Sequence, residues 1–575
     1  MRNIGVLVQT HAVGIVLAAA LAIVCVAPFY YFTTNPQYRG ITLMGADAED
    51  HYLARMQEVY EGRLSIGNAY LPEKNVPYFV PSGGEIISSI VGLLFLQTAP
   101  NAEMLNKFIF PFLGGLAFYV LGFIVSGSVG AGLLFAATGV FGDGTLLSGL
   151  SAWKNLAQGI TTNINFLGYT RPVNPEITEL CLVLGFLLCY RIFLVRTARD
   201  WESVALVGII GGGVYLSPFL FTFLGMVLFM LFVWLAYKGE KALAVRAGGI
   251  GMTALLFSVP FYFNYRALTS AAAYGDSALR QGLVISHTPI IGTWLPILLL
   301  CTLFFWPKRY RLVRPLIIAA SLSLLIFLNQ QLITGHTIQP GHYHWYITIP
   351  LVFMALSLYA TYFIERFVPS RGWRITLYAL GIGVLFYNAV LTQYSSYRHW
   401  LPQATAAQAY APIFDALNAL PPGQVVWSNP EIAMYIPIYT HSDAPNSVQM
   451  SNYLVPLSYL EDRLFLSYRL LGLTAVEAST TMAGSERAHI SSALYSIYWL
   501  QQTGSFNGIP NDIISKVAAD YRAESIRPLQ SLFKKLGITT VVWDKAANPE
   551  WRISSFSFMQ KMYSSGNLEV YEILY

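Results

Sequence analysis

Four ionisable side chains crowd into one short run. Gly45-Ala-Asp-Ala-Glu-Asp-His-Tyr-Leu-Ala-Arg brings Asp47, Glu49, Asp50 and His51 together in a sequence of which only 11% is charged. A helix beginning here puts Asp47 and His51, four apart, on one face, with Leu53, Met56 and Tyr60 on the apolar side. Two compatible readings follow. In one, Asp47 is the N-cap and Asp50, at the third helical position, complements the helix dipole. In the other, the Asp47 carboxylate is the general base for an acceptor hydroxyl. Glu49 or Asp50 then holds a metal ion or an orienting partner, and His51 joins the substrate contacts.

A second constellation is Arg171-Pro-Val-Asn-Pro, just before an apolar run that opens at residue 177. The two prolines predict an extended turn that holds Arg171 beside that run. A guanidinium there can clamp a phosphate through paired hydrogen bonds, or it can be a snorkelling arginine in a stiff turn. Asn174 shares the turn and counts with Arg171 as a substrate-binding candidate, and Lys154 is an alternative cation upstream. Asp143, in Phe-Gly-Asp-Gly, reads as a turn residue or as a further metal or sugar ligand.

The third is Asn329-Gln-Gln-Leu-Ile-Thr-Gly-His-Thr-Ile-Gln-Pro-Gly-His-Tyr-His-Trp. Three amides at the end of an apolar run need a cavity or a partner. His336, His342 and His344 are then expected to gather with Tyr343 and Trp345. Metal binding is one reading, but His-x-His without acidic neighbours fits substrate contact better, with aromatic faces against sugar or isoprenoid and His342 or His344 on phosphate. An aromatic belt at a span end predicts the same residue types. Gln339 in this loop is a further binding candidate, as are His287 and Arg280 in the loop before residue 290.

The elements that must position these groups are set by composition. Of 575 residues, 55% are hydrophobic, and the charged share is far below the roughly 25% of a soluble domain. The reading is a polytopic α-helical membrane protein of about eleven to twelve transmembrane helices, each needing about 20 apolar residues. The expected spans are 11–32, 104–125, 129–141, 177–195, 204–216, 219–236, 248–265, 290–305, 316–333, 346–364 and 375–390; the first is read as an uncleaved anchor. The stretch 86–97 is short for a twelfth. Cys25, Cys181, Cys189 and Cys301 all lie in apolar stretches, which speaks against a disulfide framework, a zinc site or a thiol nucleophile.

Lys and Arg cluster at 191–199, 238–246, 308–314 and 366–374, with two spans between neighbouring clusters. By the positive-inside rule all four are cytoplasmic, and they give no sign of nucleic-acid binding. The N-terminus is then cytoplasmic. Provided 86–97 does not cross, the loop 34–84, the loops with Arg171, His287 and His342, and everything after 391 lie outside.

Residues 1–395 are read as the transmembrane domain and 396–575 as a soluble extracytoplasmic α/β domain. Strands are expected at 424–427, 538–543 and 568–573, and helices at 459–471, 486–503 and 513–536. That domain has neither a cysteine nor an Asn-x-Ser/Thr pattern, pointing to a bacterial or archaeal plasma membrane.

An N-terminal span, a long first outside loop opening on the acidic run at Asp47, many further spans and a C-terminal outer domain resemble the GT-C class of integral membrane glycosyltransferases. The resemblance implies a polyprenyl-phosphate-linked sugar donor, inverting transfer to a glycan, lipid or protein acceptor, and Asp47 as base. It implies no certain cofactor, with a divalent cation (Mg or Mn) compatible. The Trp-Trp-Asp motif of the oligosaccharyltransferase branch is absent, which favours a monosaccharide as the transferred unit. The alternatives are a transporter or flippase for lipid-linked sugars, which should show internal repeats or charges deep within spans, and a membrane scaffold with an outer binding domain.

Overall fold

The computed structural model describes residues 4–575 apart from 46–47, 96, 143, 148 and 162–163. The chain is a multi-pass helical membrane protein with a mixed domain at its C-terminal end. Each of the eleven apolar stretches is helical. Among the described residues, seven helices are long and apolar enough to cross a membrane: His11–Phe32, Ala99–Ser126, Glu176–Val195, Pro218–Tyr237, Arg314–Thr334, Pro340–Phe367 and Arg371–Asn418. Lys241–Phe257 and Val259–Ser270 make an eighth span if the pair, bent by 47°, counts as one. Val129–Phe141, Asp200–Leu216 and Trp294–Phe304 are shorter.

The segment at 86–97 forms the helix Gly83–Leu94, with Glu85, Ser88 and Ser89 buried and Leu93 and Leu94 exposed. Its 12 residues reach about 18 Å at ~1.5 Å per residue, well short of a hydrocarbon core of about 30 Å. Small residues let the spans close on one another: a Cβ on Gly122 would lie 2.6 Å from the Phe135 ring.

The helix Arg371–Ala407 continues for 37 residues without a break at 395–396. The same helix anchors the segment that leads to Arg171. Gln393 accepts from the Leu167 N–H at 3.1 Å and donates to the Cys25 carbonyl at 2.9 Å. Farther along, Ser396 donates to the Asn165 carbonyl at 2.6 Å and the Trp400 indole to the Ile164 carbonyl at 2.9 Å.

The C-terminal sheet has the order β1-β2-β4-β3, from Val426–Trp427, Thr540–Asp544, Met559–Ser565 and Leu568–Ile573 in chain order. β1 pairs parallel with β2, and the other pairings are antiparallel. The sequence reading lacks β3. That strand is a mostly exposed edge with little alternation, tied to β4 by Lys561–Glu569 at 2.9 Å; its sequence signal is the tight Gly566-Asn567 turn.

Two helices expected whole are broken. The stretch 513–536 splits at Pro528 into Asn511–Ser525 and Leu529–Lys535. The stretch 486–503 splits at Ser496, whose φ is 51°, into Arg487–Tyr495 and Tyr498–Thr503.

The apolar core follows a different division from the chain order. One cluster fills the helical bundle. A second unites Ile41, Leu53, Met56, Val59 and Tyr70 of the first loop with Trp427, Leu460, Phe533, Val541 and Tyr571 of the C-terminal region. The first loop is therefore part of the C-terminal domain's core, and removal of its apolar side chains from water fixes it there.

Candidate functional site

The acidic run does open a helix, Glu49–Tyr60, but its N-cap is Ala48, in the left-handed region with φ 53° and no capping side chain. This corrects the expectation that Asp47 is the N-cap with Asp50 at the third helical position. Asp47 itself lies outside the described residues, as does Asp143. The turn before the helix is closed instead by Glu49, which accepts from the Gly45 N–H at 3.0 Å and pairs with Lys107 Nζ at 2.8 Å. All of this is buried. Glu49 thus links Gly45 to Lys107.

Farther along the helix, Arg55 pairs with Glu85 at 2.5 Å and donates to the carbonyls of Val80 and Pro81. This buried fork locks the helix onto the segment after it. Asp50 accepts from the side chain of Gln449 at 3.1 Å, and the His51 ring lies beside the Tyr453 hydroxyl, Nδ1 to oxygen 3.5 Å. Both partners come from the C-terminal domain.

Burial raises the Asp50 carboxyl to about 6, against the lowering effects of the His51 N–H and the Gln449 amide. His51 is held well below its ordinary value by burial and then by the positive charges of Arg55 and Arg171. At neutral pH a carboxylate therefore stands beside a neutral imidazole. The Asp50 carboxyl gains protons on folding, so its contribution to stability is present below its unfolded value and is lost as pH rises through about 6. Histidine acts in the opposite sense: its depressed value contributes stability above the ordinary histidine range that is lost on acidification. Thermal unfolding of Asp50→Asn should accordingly lose less stability than wild type between pH 5 and pH 7.5. Equal losses in the two proteins would contradict this placement of the carboxyl.

Arg171 is buried, and one terminal nitrogen donates to the Asn174 carbonyl at 2.5 Å. Its guanidinium carbon lies 5.1 Å from the centre of the Tyr52 ring and 5.4 Å from that of Tyr346. Each distance is within cation–π range. Tyr346 in turn stacks on His342 at 5.4 Å, and His342 meets Phe219 edge-on at 4.7 Å. Asn174, Thr178, Ser217, Phe219, His342 and Tyr346 line one small crevice.

The turn itself is tight where an extended one was expected. Asn174 N–H bonds to the Pro172 carbonyl at 2.7 Å and Val173 has φ 64°. A β-branched residue there is strained. Gly84 gives it room: a Cβ at that position would lie 2.2 Å from a Val173 methyl.

The other candidates fall apart from this group. The three histidines of the 329–345 loop do not gather. His336 is exposed and bridges Ile285, while His344 packs edge-on against Trp345. His287 is exposed, beside Gly335. Gln339 spends its amide on the Gln281 carbonyl at 2.6 Å. The amides of Asn329 and Gln331 bond to backbone groups of Ile290 and Thr288, so their task is to tie two loops together. Arg280 is buried and donates to the carbonyls of Ser451 and Val455.

Among the described residues no group of three or more His, Cys, Asp or Glu is arranged to hold a metal ion. Glu49 is paired with Lys107 and Asp50 with Gln449. Glu49 and Asp50 are not grouped to hold a divalent cation, and no chemical step is assigned to one.

No family model matches the sequence, and no curated protein matches it. Solved structures similar to this chain include the oligosaccharyltransferase of Archaeoglobus fulgidus. Its apo crystal structure is 14% identical, covers 98% of this chain and 74% of its own, and gives a TM-score of 0.47. The same enzyme tethered to an acceptor peptide with the Asn-Val-Thr sequon is 13% identical over 98% of this chain and 74% of that one, with a TM-score of 0.43. A structure of this enzyme, AglB, with an inhibitory peptide and a dolichol-phosphate is 14% identical over 93% of this chain and 69% of that one, at a TM-score of 0.38.

Proposed function

We propose that this chain is a membrane glycosyltransferase that moves a sugar from a polyprenyl-phosphate carrier to a glycan, lipid or protein acceptor. One observation carries the reading: a buried guanidinium, flanked by Tyr52 and Tyr346 and with His342 next to Tyr346, stands beside the helix that follows the acidic turn. A fixed cation among aromatic rings suits a leaving phosphate attached to a sugar and an isoprenoid.

In the proposed reaction an acceptor oxygen attacks the anomeric carbon while the bond from that carbon to the carrier phosphate breaks. The acceptor's proton goes to Asp47, and the electron pair leaves on the polyprenyl phosphate. Charge grows on the phosphate oxygens as the bond lengthens, so the Arg171 guanidinium stabilises the transition state more than the ground state. His342 is placed to contact the same phosphate. Gln449 and Tyr453, on Asp50 and His51, bring the C-terminal domain to the acceptor side. In the proposed topology this site and that domain face the outside of a plasma membrane and the N-terminus is cytoplasmic, following the four basic clusters.

Vesicles holding the purified chain and a radiolabelled polyprenyl-phosphate sugar separate the rival classes. Sugar transfer supports the enzyme. Movement of intact donor between leaflets without transfer would make it a transporter, and neither outcome a scaffold.

A further inference from the structure

We propose that Lys107, buried in the span Ala99–Ser126, is a positioning residue that ties the turn carrying the base to the turn carrying the phosphate clamp; the proposal rests on the glycosyltransferase reading above. Three contacts define it. Its ammonium reaches Glu49 at 2.8 Å, the Thr170 carbonyl at 2.8 Å and Glu103, one helical turn back, at 3.1 Å. An ammonium has three hydrogens, and these contacts use all of them.

Each partner leads to one half of the site. The second oxygen of Glu49 holds the Gly45 N–H, so the Lys107 pair fixes both ends of the 45–49 turn. Thr170 is the neighbour of Arg171, and its hydroxyl bonds to the Leu167 carbonyl, so its backbone is fixed as well. Glu103 lies on the same helix as Lys107 and sets the direction of the ammonium. Lys107 is 1% exposed and Glu49 3%.

Packing alone does not explain a lysine here. A charge within an apolar span is costly even when paired, and a buried ion pair stabilises little more than a well-fitted apolar side chain. What the ammonium supplies, and Met or Leu cannot, is a directional link between two turns that are 121 residues apart, counting from Glu49 to Thr170. Catalysis by a fixed base and a fixed cation needs their separation held to a fraction of an ångström.

The test uses the full chain in nanodiscs, comparing wild type with Lys107→Met, Lys107→Arg and Glu49→Gln. Amide hydrogen exchange should rise about tenfold in the Gly45 and Arg171 segments together in Lys107→Met, while β2 and β4 stay protected. kcat for transfer should fall by ~100-fold with little change in KM for the donor, and Lys107→Arg should restore part of both. Glu49→Gln, which keeps an acceptor for Gly45, should loosen the same two segments and serves if the methionine variant does not fold.

Unchanged exchange, or exchange that rises in one segment only, would overturn the proposal. So would a fall in kcat matched by an equal loss of protection across the sheet, which marks a merely structural role. Linked exchange in a chain that transfers no sugar would leave the tether standing and remove the glycosyltransferase reading instead.

Discussion

Asp47→Asn should abolish sugar transfer while leaving the protein folded. The amide keeps the shape of the carboxyl and loses the ability to take a proton, so the acceptor must attack as a neutral hydroxyl. Loss of a positioned general base lowers rates by about 10²- to 10⁴-fold, and the upper part of that range is expected here because Arg171, in the proposed reaction, helps the leaving group and not the nucleophile. The turn has bonds that involve other side chains: Gly45 is held by Glu49, and Glu49 by Lys107. Thermal unfolding should therefore match wild type, and donor binding should persist. Retention of substantial transfer by Asp47→Asn would take the base away from this residue.

Arg171→Ala should be nearly as damaging, for a different reason. In the proposed reaction it removes the positive charge where the phosphate departs, a loss of about 10²- to 10³-fold for one such group. It also leaves the Asn174 carbonyl without its 2.5 Å donor in a strained turn. Arg171→Lys separates charge from shape. An ammonium keeps the charge, but it is not planar, cannot lie between the Tyr52 and Tyr346 rings as a guanidinium does, and cannot bond to phosphate through two parallel hydrogens. The lysine variant is accordingly expected to recover little of kcat and to weaken inhibition by free polyprenyl phosphate. Full activity in that variant would mean that charge alone is required and that the aromatic flanks are incidental.

Much of the frame is legible in the sequence because hydrophobic length is a strong, local signal. All eleven apolar stretches are helices, and the acidic run does precede one. Arg171, Asn174 and His342 are found together, each marked by a polar residue type at the edge of an apolar run. Tyr52 and Tyr346 escaped because nothing in either segment says that one arginine stands between them; that is a property of how distant helices pack. Lys107 escaped for a related reason. It sits inside an expected span, yet its partners are Glu49 and Thr170 from two other segments.

The errors are also physical. His336, His342 and His344 are close in sequence, but an isolated bridge to Ile285 holds the first in an exposed loop while a helix starting at Pro340 carries the other two. The N-cap moved from Asp47 to Ala48 because Glu49, tethered by a buried lysine, closes the turn in place of a cap. The division at residue 395 follows hydropathy along the chain. The core instead follows contact, and contact places the first loop with the C-terminal domain.

The anomeric configuration of the transferred sugar tests the central claim most directly. The purified chain is given a polyprenyl-phosphate sugar of known configuration and an acceptor, and the product linkage is read by nuclear magnetic resonance. A single displacement, with Asp47 taking the acceptor's proton and Arg171 steadying the phosphate, predicts inversion at the anomeric carbon. A product of retained configuration would contradict it.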